Sequence, residues 1–405
     1  MHSQSRFLRR SFYSFYLALV LLASGVAAKA QQASAFELYD GDRVVFVGNT
    51  FVERAIEYGH IEAALTTRWP DRNITFRNLG WSGDDARGRA RRFFGPVDDG
   101  FNNLKTLVYD LKPTVVFVAY GAMESYDGQA GIKDFINNMN RLLDAMVATR
   151  ARIVVVSPVP QENLGPPLPD PGENNRNLKL YAQTLQSLAE VRNHWYINLF
   201  EYMDAEMSRT PAPLTDNGIH LNDLGYRRAA QGFLAGMGLA NTKKSIMVSA
   251  RGHLMDVSGT RPIQIQPLGN GLLLTLKDDH IGGESSLNLS IRDLFAGTYT
   301  LRLNGRNIGN YSSQQWAAGV ELPWTPENDQ AGLLLKTIQT KNEFYFYKWR
   351  PQNETYLRGF RSHEQGQNAA ELEEFDPYIE REEAKIADLK RSHHYTLQIH
   401  RAPER

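Results

Sequence analysis

The chain has 405 residues, 42% of them hydrophobic and 22% charged, an ordinary globular composition with length enough for two domains. Its 45 basic and 45 acidic residues cancel, so nothing in the charge balance draws it to nucleic acid or to an anionic membrane. The absence of cysteine excludes a disulfide framework, c-type haem, a thiolate zinc site, lipobox acylation and a cysteine nucleophile.

Arg6, Arg9 and Arg10 precede an apolar run from Phe12 to Val26, and small residues follow at Ala28, Ala30, Ala33 and Ala35. That order reads as a cleaved secretory signal over residues 1–35 and places the mature chain outside the cytoplasm, secreted or periplasmic. The run is short for a membrane span of about 20 residues, so a retained anchor is the lesser alternative and no transmembrane span is expected after cleavage. An exported chain without disulfides is held by its cores alone.

Strands and helices then alternate. Arg43 to Val47 is a β-branched and aromatic strand, Gly48-Asn49-Thr50 has turn chemistry, and a helix is expected from Phe51 to about Trp69. Ile74 to Asn78 is a second strand, followed by the glycine-punctuated loop Leu79 to Asp84. Val115 to Ala119 is apolar throughout, as a strand buried on both faces is. Gly121 to Gly128 is a loop, Ile132 to Thr149 a helix, Ile153 to Ser157 a strand and Tyr196 to Asn198 a short strand, with a helix from about Asn174 to Arg192 between the last two. Asn222 caps a last helix. This alternation implies a parallel sheet with right-handed crossovers and helices on both faces, spanning residues 36–242.

Residues 243–405 differ. Period-two runs such as Leu272 to Leu276, and Asn304-Gly305 after Thr298 to Leu303, read as a small β-sandwich. A helical insertion over about residues 325–390 interrupts it, opened by Thr325-Pro326-Glu327 and again by Asp376-Pro377. The alternating tail Tyr395, Leu397, Ile399 returns to the sandwich.

The order of strand-GNT-helix, NLGWSGD, YGAMES and TDNGIHLNDLGY resembles the SGNH or GDSL hydrolase family over about Asp42 to Leu234. The fold this implies is a three-layer α/β domain, here with the β-sandwich and helical hairpin appended. The two-domain form, with RPQNETY and HEQGQN near its end, is similar to a secreted, planctomycete-type subfamily. The resemblance implies ester hydrolysis, with O-acylated carbohydrate or a small ester as partner and without metal or cofactor. It also implies a nucleophile at Thr50, a base at His220, and an oxyanion donor at the Gly83 N–H. Asp216 or Asn217 would orient the base.

Three positions depart from the family pattern. Thr50 stands where a serine is usual, and its methyl group restricts χ1. Met123 stands where an asparagine donates to the oxyanion, and losing one such donor costs about 10² to 10³ in rate. Asn217 stands three residues before His220, where the family has aspartate, and Asp to Asn in a triad costs about 10⁴. Asp216 or Glu124 is available to compensate. Asn49, Trp81, Met123, Glu124, Arg350 and Arg358 are the residues expected to meet substrate. For the stretch around Arg350 the alternative is a polar interface that docks the appended domain. Asp84 and Asp85 suit helix capping better than metal binding. The alternative function is a catalytically inactive glycan-binding or envelope module on the same fold. The sequence leaves the oligomeric state open.

Overall fold

The computed structural model describes residues 35–403, apart from 93–94, 240–242, 282–285, 323–324, 358–360 and 365–367. The expected signal core Phe12 to Val26, and Arg358, lie outside the described residues.

Five strands form one wholly parallel sheet: β1 (Arg43–Gly48), β2 (Thr75–Asn78), β3 (Val115–Ala119), β4 (Arg152–Val156) and β5 (Trp195–Ile197), in the order β2-β1-β3-β4-β5. Because side chains alternate along a strand, each strand feeds two cores. Val44 and Phe46, with Val115 and Phe117, enter one core, while Val45 and Val47, with Val116 and Val118, enter the other. The helices that cover the two faces are α1 (Thr50–Tyr58), α2 (His60–Arg68), α3 (Asp99–Leu111), α4 (Ile132–Val147), α5 (Gly172–Val191), α6 (Leu199–Arg209) and α7 (Asp223–Gly236). The sequence reading passed over α3 and α6. It also expected one helix where α1 and α2 stand. Gly59, at φ +69, caps α1 and turns the chain, and a Cβ there would come within 3.1 Å of Leu335. The break therefore makes room for a helix far down the chain.

The strand order reverses between β1 and β3, and in open α/β sheets that switch point, at the carboxyl ends of the strands, is where sites lie. Thr50, Gly83 and Met123 follow the carboxyl ends of β1, β2 and β3.

Beyond α7, the strands β6 (Ser245–Ser249), β7 (Leu254–Ser258), β10 (Leu287–Arg292) and β13 (Val320–Leu322) make a sheet in the order β13-β10-β6-β7. The other sheet, β12-β11-β14-β9-β8, is antiparallel and consists of β8 (Thr260–Leu268), β9 (Gly271–Asp278), β11 (Thr298–Leu303), β12 (Arg306–Ser312) and β14 (His394–Arg401). The two share a core of Ile246, Leu274, Leu289, Leu301, Leu397 and their neighbours. A short helix, α8 (Ser313–Ala318), carries the buried Trp316 against it. The tail does return to the sandwich, and it does so as a central strand.

Between β13 and β14 run α9 (Pro326–Trp349) and α10 (Asp376–Leu389). Thr325 caps α9 with Pro326 at its first position, as the sequence order predicts. This hairpin docks on the α/β domain. Tyr345, Trp349 and Ile379 belong to one of that domain's two cores. Lys341 reaches Glu62 at 2.6 Å, and Asn342 donates to the same carboxylate at 2.7 Å. Lys341 is buried, and burial pulls its ammonium below the usual lysine range. Removing either member of such a pair leaves the other uncompensated, at about 3–5 kcal/mol. Among the described residues no helix is long and apolar enough to cross a membrane.

Candidate active site

β1 ends at Gly48, where a Cβ would lie 2.5 Å from Val52 Cγ2 and 2.6 Å from the Ala119 carbonyl. Glycine is therefore needed for the strand to turn sharply into α1. Asn49 is buried and caps α1, its Oδ1 accepting the Phe51 N–H at 3.2 Å. Asn49 thus shapes the turn from within. Thr50, the first helical residue, is half-buried at the sheet edge.

The loop after β2 is laid over this turn. The Trp81 N–H donates to the Gly48 carbonyl at 3.0 Å, and a Cβ on Gly80 would lie 2.2 Å from Glu53 N. The Asp84 N–H donates to the Trp81 carbonyl at 3.1 Å and closes a four-residue turn with Gly83 third, at φ +73, a position that suits glycine. That bond leaves the two middle N–H groups of the turn free to point outward. Ser82 N–H donates to Glu53 Oε2 at 2.6 Å, and Gly83 N–H donates to Thr50 Oγ1 at 3.0 Å. Among the described residues, its two chain neighbours apart, no atom stands within 4 Å of a Cβ built on Gly83, so that side of the turn is open.

A buried ion pair anchors the turn from below. Arg91 Nε meets Asp84 Oδ2 at 2.6 Å, and Arg91 Nη2 donates to the carbonyls of Gly48 at 3.2 Å and Leu79 at 2.7 Å. Tyr120 Oη donates to the same Asp84 oxygen at 2.9 Å. Burial raises the Asp84 carboxyl against the pull of Arg91. Asp85 accepts the N–H groups of Arg87 and Arg89 and pairs with the Arg89 side chain. Both aspartates are thus spent on local structure, and no group of residues suited to a metal occurs among the described residues.

Glu124 ties the loop after β3 to the loop after β2. Its two oxygens accept the N–H groups of Ala86 and Gly121, each at 2.9 Å. Burial pushes its carboxyl up to about 7. Both oxygens are engaged by backbone, so Glu124 does not take over the role of the missing amide. Met123 beside it is 39% exposed and offers no donor.

His220 stands on the loop before α7. The Asn217 amide oxygen accepts two backbone N–H groups, from Ile219 at 3.1 Å and from His220 itself at 2.9 Å. Those two donors fix which end of the amide is oxygen, and the amide nitrogen faces His220 Nδ1 at 3.3 Å. Nδ1 therefore accepts, and the imidazole proton sits on Nε2. The Asp216 N–H donates to the His220 carbonyl at 2.9 Å, but its carboxylate pairs with Arg54 at 3.0 Å. Burial, then Arg54, lower the His220 pKa, and Asp216 opposes them.

Residues 48–228 match the family model described as the GDSL-like lipase/acylhydrolase family. That stretch belongs to this family. Among solved structures, a gut microbial diltiazem-metabolizing enzyme has a TM-score of 0.69 at 15% identity, covering 91% of this chain and 100% of its own. The fold of both halves therefore recurs there. An acetylxylan esterase from Geobacillus stearothermophilus covers 51% of this chain and 99% of its own, at 16% identity and TM-score 0.41. An alpha/beta hydrolase enzyme from the metagenome of Lake Arreo, Spain, covers 50% and 98% at 19% identity and TM-score 0.41. A comparison with curated proteins finds no match.

The GDSL-like domain thus brings Thr50 and Gly83 into contact and sets Asn217 against His220, while Asp216 and Glu124 are held elsewhere. Arg350 arrives from the end of α9: Nη1 meets Glu53 Oε2 at 2.6 Å, and its guanidinium lies 3.7 Å over the Trp81 ring. Trp349 beside it is buried. Sequence reasoning missed Glu162. That carboxylate accepts the N–H groups of Leu214 and Thr215 and the Thr215 hydroxyl, at 2.6–3.1 Å, while its own N–H donates to the Gly218 carbonyl at 2.8 Å. It holds the loop that carries His220. Arg54 and Arg91 were also missed, since nothing in their local sequence announces partners so far along the chain.

Proposed function

We propose that the protein is an ester hydrolase, working outside the cytoplasm and removing O-acyl groups from carbohydrate or related esters, with Thr50 as nucleophile. The observation that carries this reading is the Gly83 N–H aimed at Thr50 Oγ1 at 3.0 Å, on a turn whose construction serves that aim. Thr50 Oγ1 attacks the ester carbonyl while its proton passes to His220 Nε2. The Gly83 N–H receives the oxyanion, and the alcohol leaves with the proton from His220. Water then attacks the acyl-threonine, again through His220, releasing the acid and restoring the hydroxyl.

The resting tautomer opposes the first step, because Nε2 already carries the proton. For Nδ1 to hold it instead, the Asn217 amide turns over and gives up two backbone hydrogen bonds. At about 1 kcal/mol each, that slows the reaction by a factor of about 30. The reading is therefore of a slow enzyme.

For the carbohydrate part, a cavity of about 510 Å³ beside the end of α9, whose lining does not include Thr50, Gly83 or His220, offers Tyr347, Phe375 and Tyr378 with Gln352, Asn353 and Glu371 as a place for further sugar units. Aromatic faces with amides and carboxylates suit a sugar. Export is supported by the arginines and apolar run at the N-terminus.

A second reading, a catalytically silent glycan-binding or envelope module, is favoured by the Asn217 amide orientation and by Met123. Hydrolysis of p-nitrophenyl acetate and of an acetylated oligosaccharide panel decides between them. Turnover by wild type that Thr50→Ala and His220→Ala each abolish supports the enzyme. Turnover no faster than in those variants sinks it.

A further inference from the structure

We propose that Arg350, from the C-terminal helical hairpin, is a positioning residue of the hydrolase site: through Glu53 it fixes the turn that aims the Gly83 N–H. This rests on the reading of that N–H as the oxyanion donor.

The two middle N–H groups of the Trp81–Asp84 turn are aimed at two side chains one helical turn apart on α1, Thr50 and Glu53. The Ser82–Glu53 bond therefore holds the Trp81–Ser82 peptide, the one immediately before the peptide that carries the Gly83 N–H. Glu53 Oε2 is shared between the Ser82 N–H and Arg350 Nη1, both at 2.6 Å. Charge-assisted bonds of this kind are short and strong, and at 22% and 24% exposure the pair is partly shielded from water. Arg350 is itself held flat over Trp81, the first residue of the same turn, at 3.7 Å. One guanidinium thus grips the turn twice, by its ring and through its amide partner. Arg91 and Asp84 hold the turn from the sheet side, and Arg350 holds the Glu53 carboxylate from the hairpin side. Trp349 packs against Trp81 at 5.9 Å and belongs to the α/β core, so α9 is seated where Arg350 must act.

The test combines hydrogen–deuterium exchange with kinetics on wild type, Arg350→Ala, Arg350→Lys, Glu53→Gln and the Arg350→Ala, Glu53→Gln double variant. Lys348→Ala, which breaks the 2.6 Å pair between Lys348 of α9 and Asp376 of α10, controls for a loosened hairpin. Exchange in the peptide covering Trp81 to Gly83 is expected to quicken at least about 10-fold in Arg350→Ala and to stay unchanged in Lys348→Ala. On p-nitrophenyl acetate, Arg350→Ala is expected to lower kcat about 10-fold with KM within about 2-fold. Arg350→Lys keeps the charge but not the planar stack, and recovers part of the loss. The double variant is expected to lose no more than the worse single one, since the two residues act in series.

Additive losses, equal quickening in Lys348→Ala, or unchanged exchange in Arg350→Ala each overturn the proposal. If wild type turns over no ester, the hydrolase reading falls on that result alone, while the exchange comparison still decides whether Arg350 holds the turn.

Discussion

Asn217 presents its amide nitrogen, not its oxygen, to Nδ1 of His220, 3.3 Å away. An aspartate at the same position keeps the two backbone bonds through one carboxylate oxygen and accepts from Nδ1–H with the other. The Asn217→Asp variant is therefore expected to shift the imidazole proton to Nδ1 and raise kcat by about 10², with about 10⁴ as the ceiling set by the reverse change in a Ser-His-Asp triad. Adding Met123→Asn supplies a second oxyanion donor beside the Gly83 N–H and is expected to contribute a further factor of about 10 to 10². Steady-state kinetics on p-nitrophenyl acetate check both, and an unchanged or lower kcat in the double variant refutes the assignment of these positions.

Arg54 pairs with the Asp216 carboxylate and adds its own positive charge near His220. Burial and Arg54 both hold the imidazole below its ordinary value, so it stays neutral, and able to act as a base, to a pH below 6.5. The acid limb of kcat/KM is expected there. In Arg54→Gln one lowering cause disappears and Asp216, which raises the value, is freed. The His220 pKa should rise and the acid limb should move up with it, as read by an NMR titration of the ring and a pH–rate profile. Movement to lower pH counts against this arrangement.

Where the information is local, the sequence states the fold clearly. The unbroken apolar run Val115 to Ala119 already says that both sheet faces are covered, and Gly48-Asn49-Thr50 after β1 already marks a turn from strand into helix, though not that Asn49 caps it. Gly83 was legible as a glycine that closes a turn; that its N–H meets Thr50 was implied only through the family resemblance. What was not legible depends on partners far along the chain. Gly59 breaks a helix because Leu335 approaches it. Glu162 reads as one polar residue in a proline-rich loop, yet its partners are Leu214 and Thr215, more than fifty positions on. Arg350 was legible either as a ligand cation or as part of a docking interface, but its partner Glu53, 297 positions away, was not. The orientation of the Asn217 amide is decided by two backbone N–H groups that no residue pattern records.

Glu124 makes stability depend on pH. Its carboxyl titrates near 4.5 when unperturbed and at about 7 in the folded protein, where burial disfavours its charge. Between those values the folded state binds the proton that the unfolded state has lost, so stability is full below about pH 4.5 and falls as pH rises through 7. The expected fall from pH 5 to pH 8 is about 2–3 kcal/mol from this group. Glu124→Gln cannot titrate, and its stability should vary less across that window. Urea unfolding at a series of pH values measures the difference, and identical slopes for the two proteins would remove Glu124 as the cause.

Glu162 acts on a loop and not on a substrate. Its carboxylate accepts three donors of the strand-like segment Leu214–Thr215, and Thr215 Oγ1 in turn accepts the Gly218 N–H at 3.0 Å. These bonds brace the arc from Leu214 to Asn222, in which His220 is the only imidazole. Glu162→Gln replaces one acceptor oxygen with an NH₂ group facing a backbone donor, and Glu162→Ala removes the brace altogether. The expected cost to stability is about 1–3 kcal/mol for either, because buried N–H groups lose their partner. The distinguishing effect is on the base. A loosened arc lets His220 drift from its place on the loop, so its ring signals should broaden and, with the base less well positioned, kcat should fall about 10-fold or more while KM moves little. Should stability drop with sharp ring signals and an unchanged kcat, Glu162 braces the fold alone and His220 is positioned by Asn217 and α7 without it.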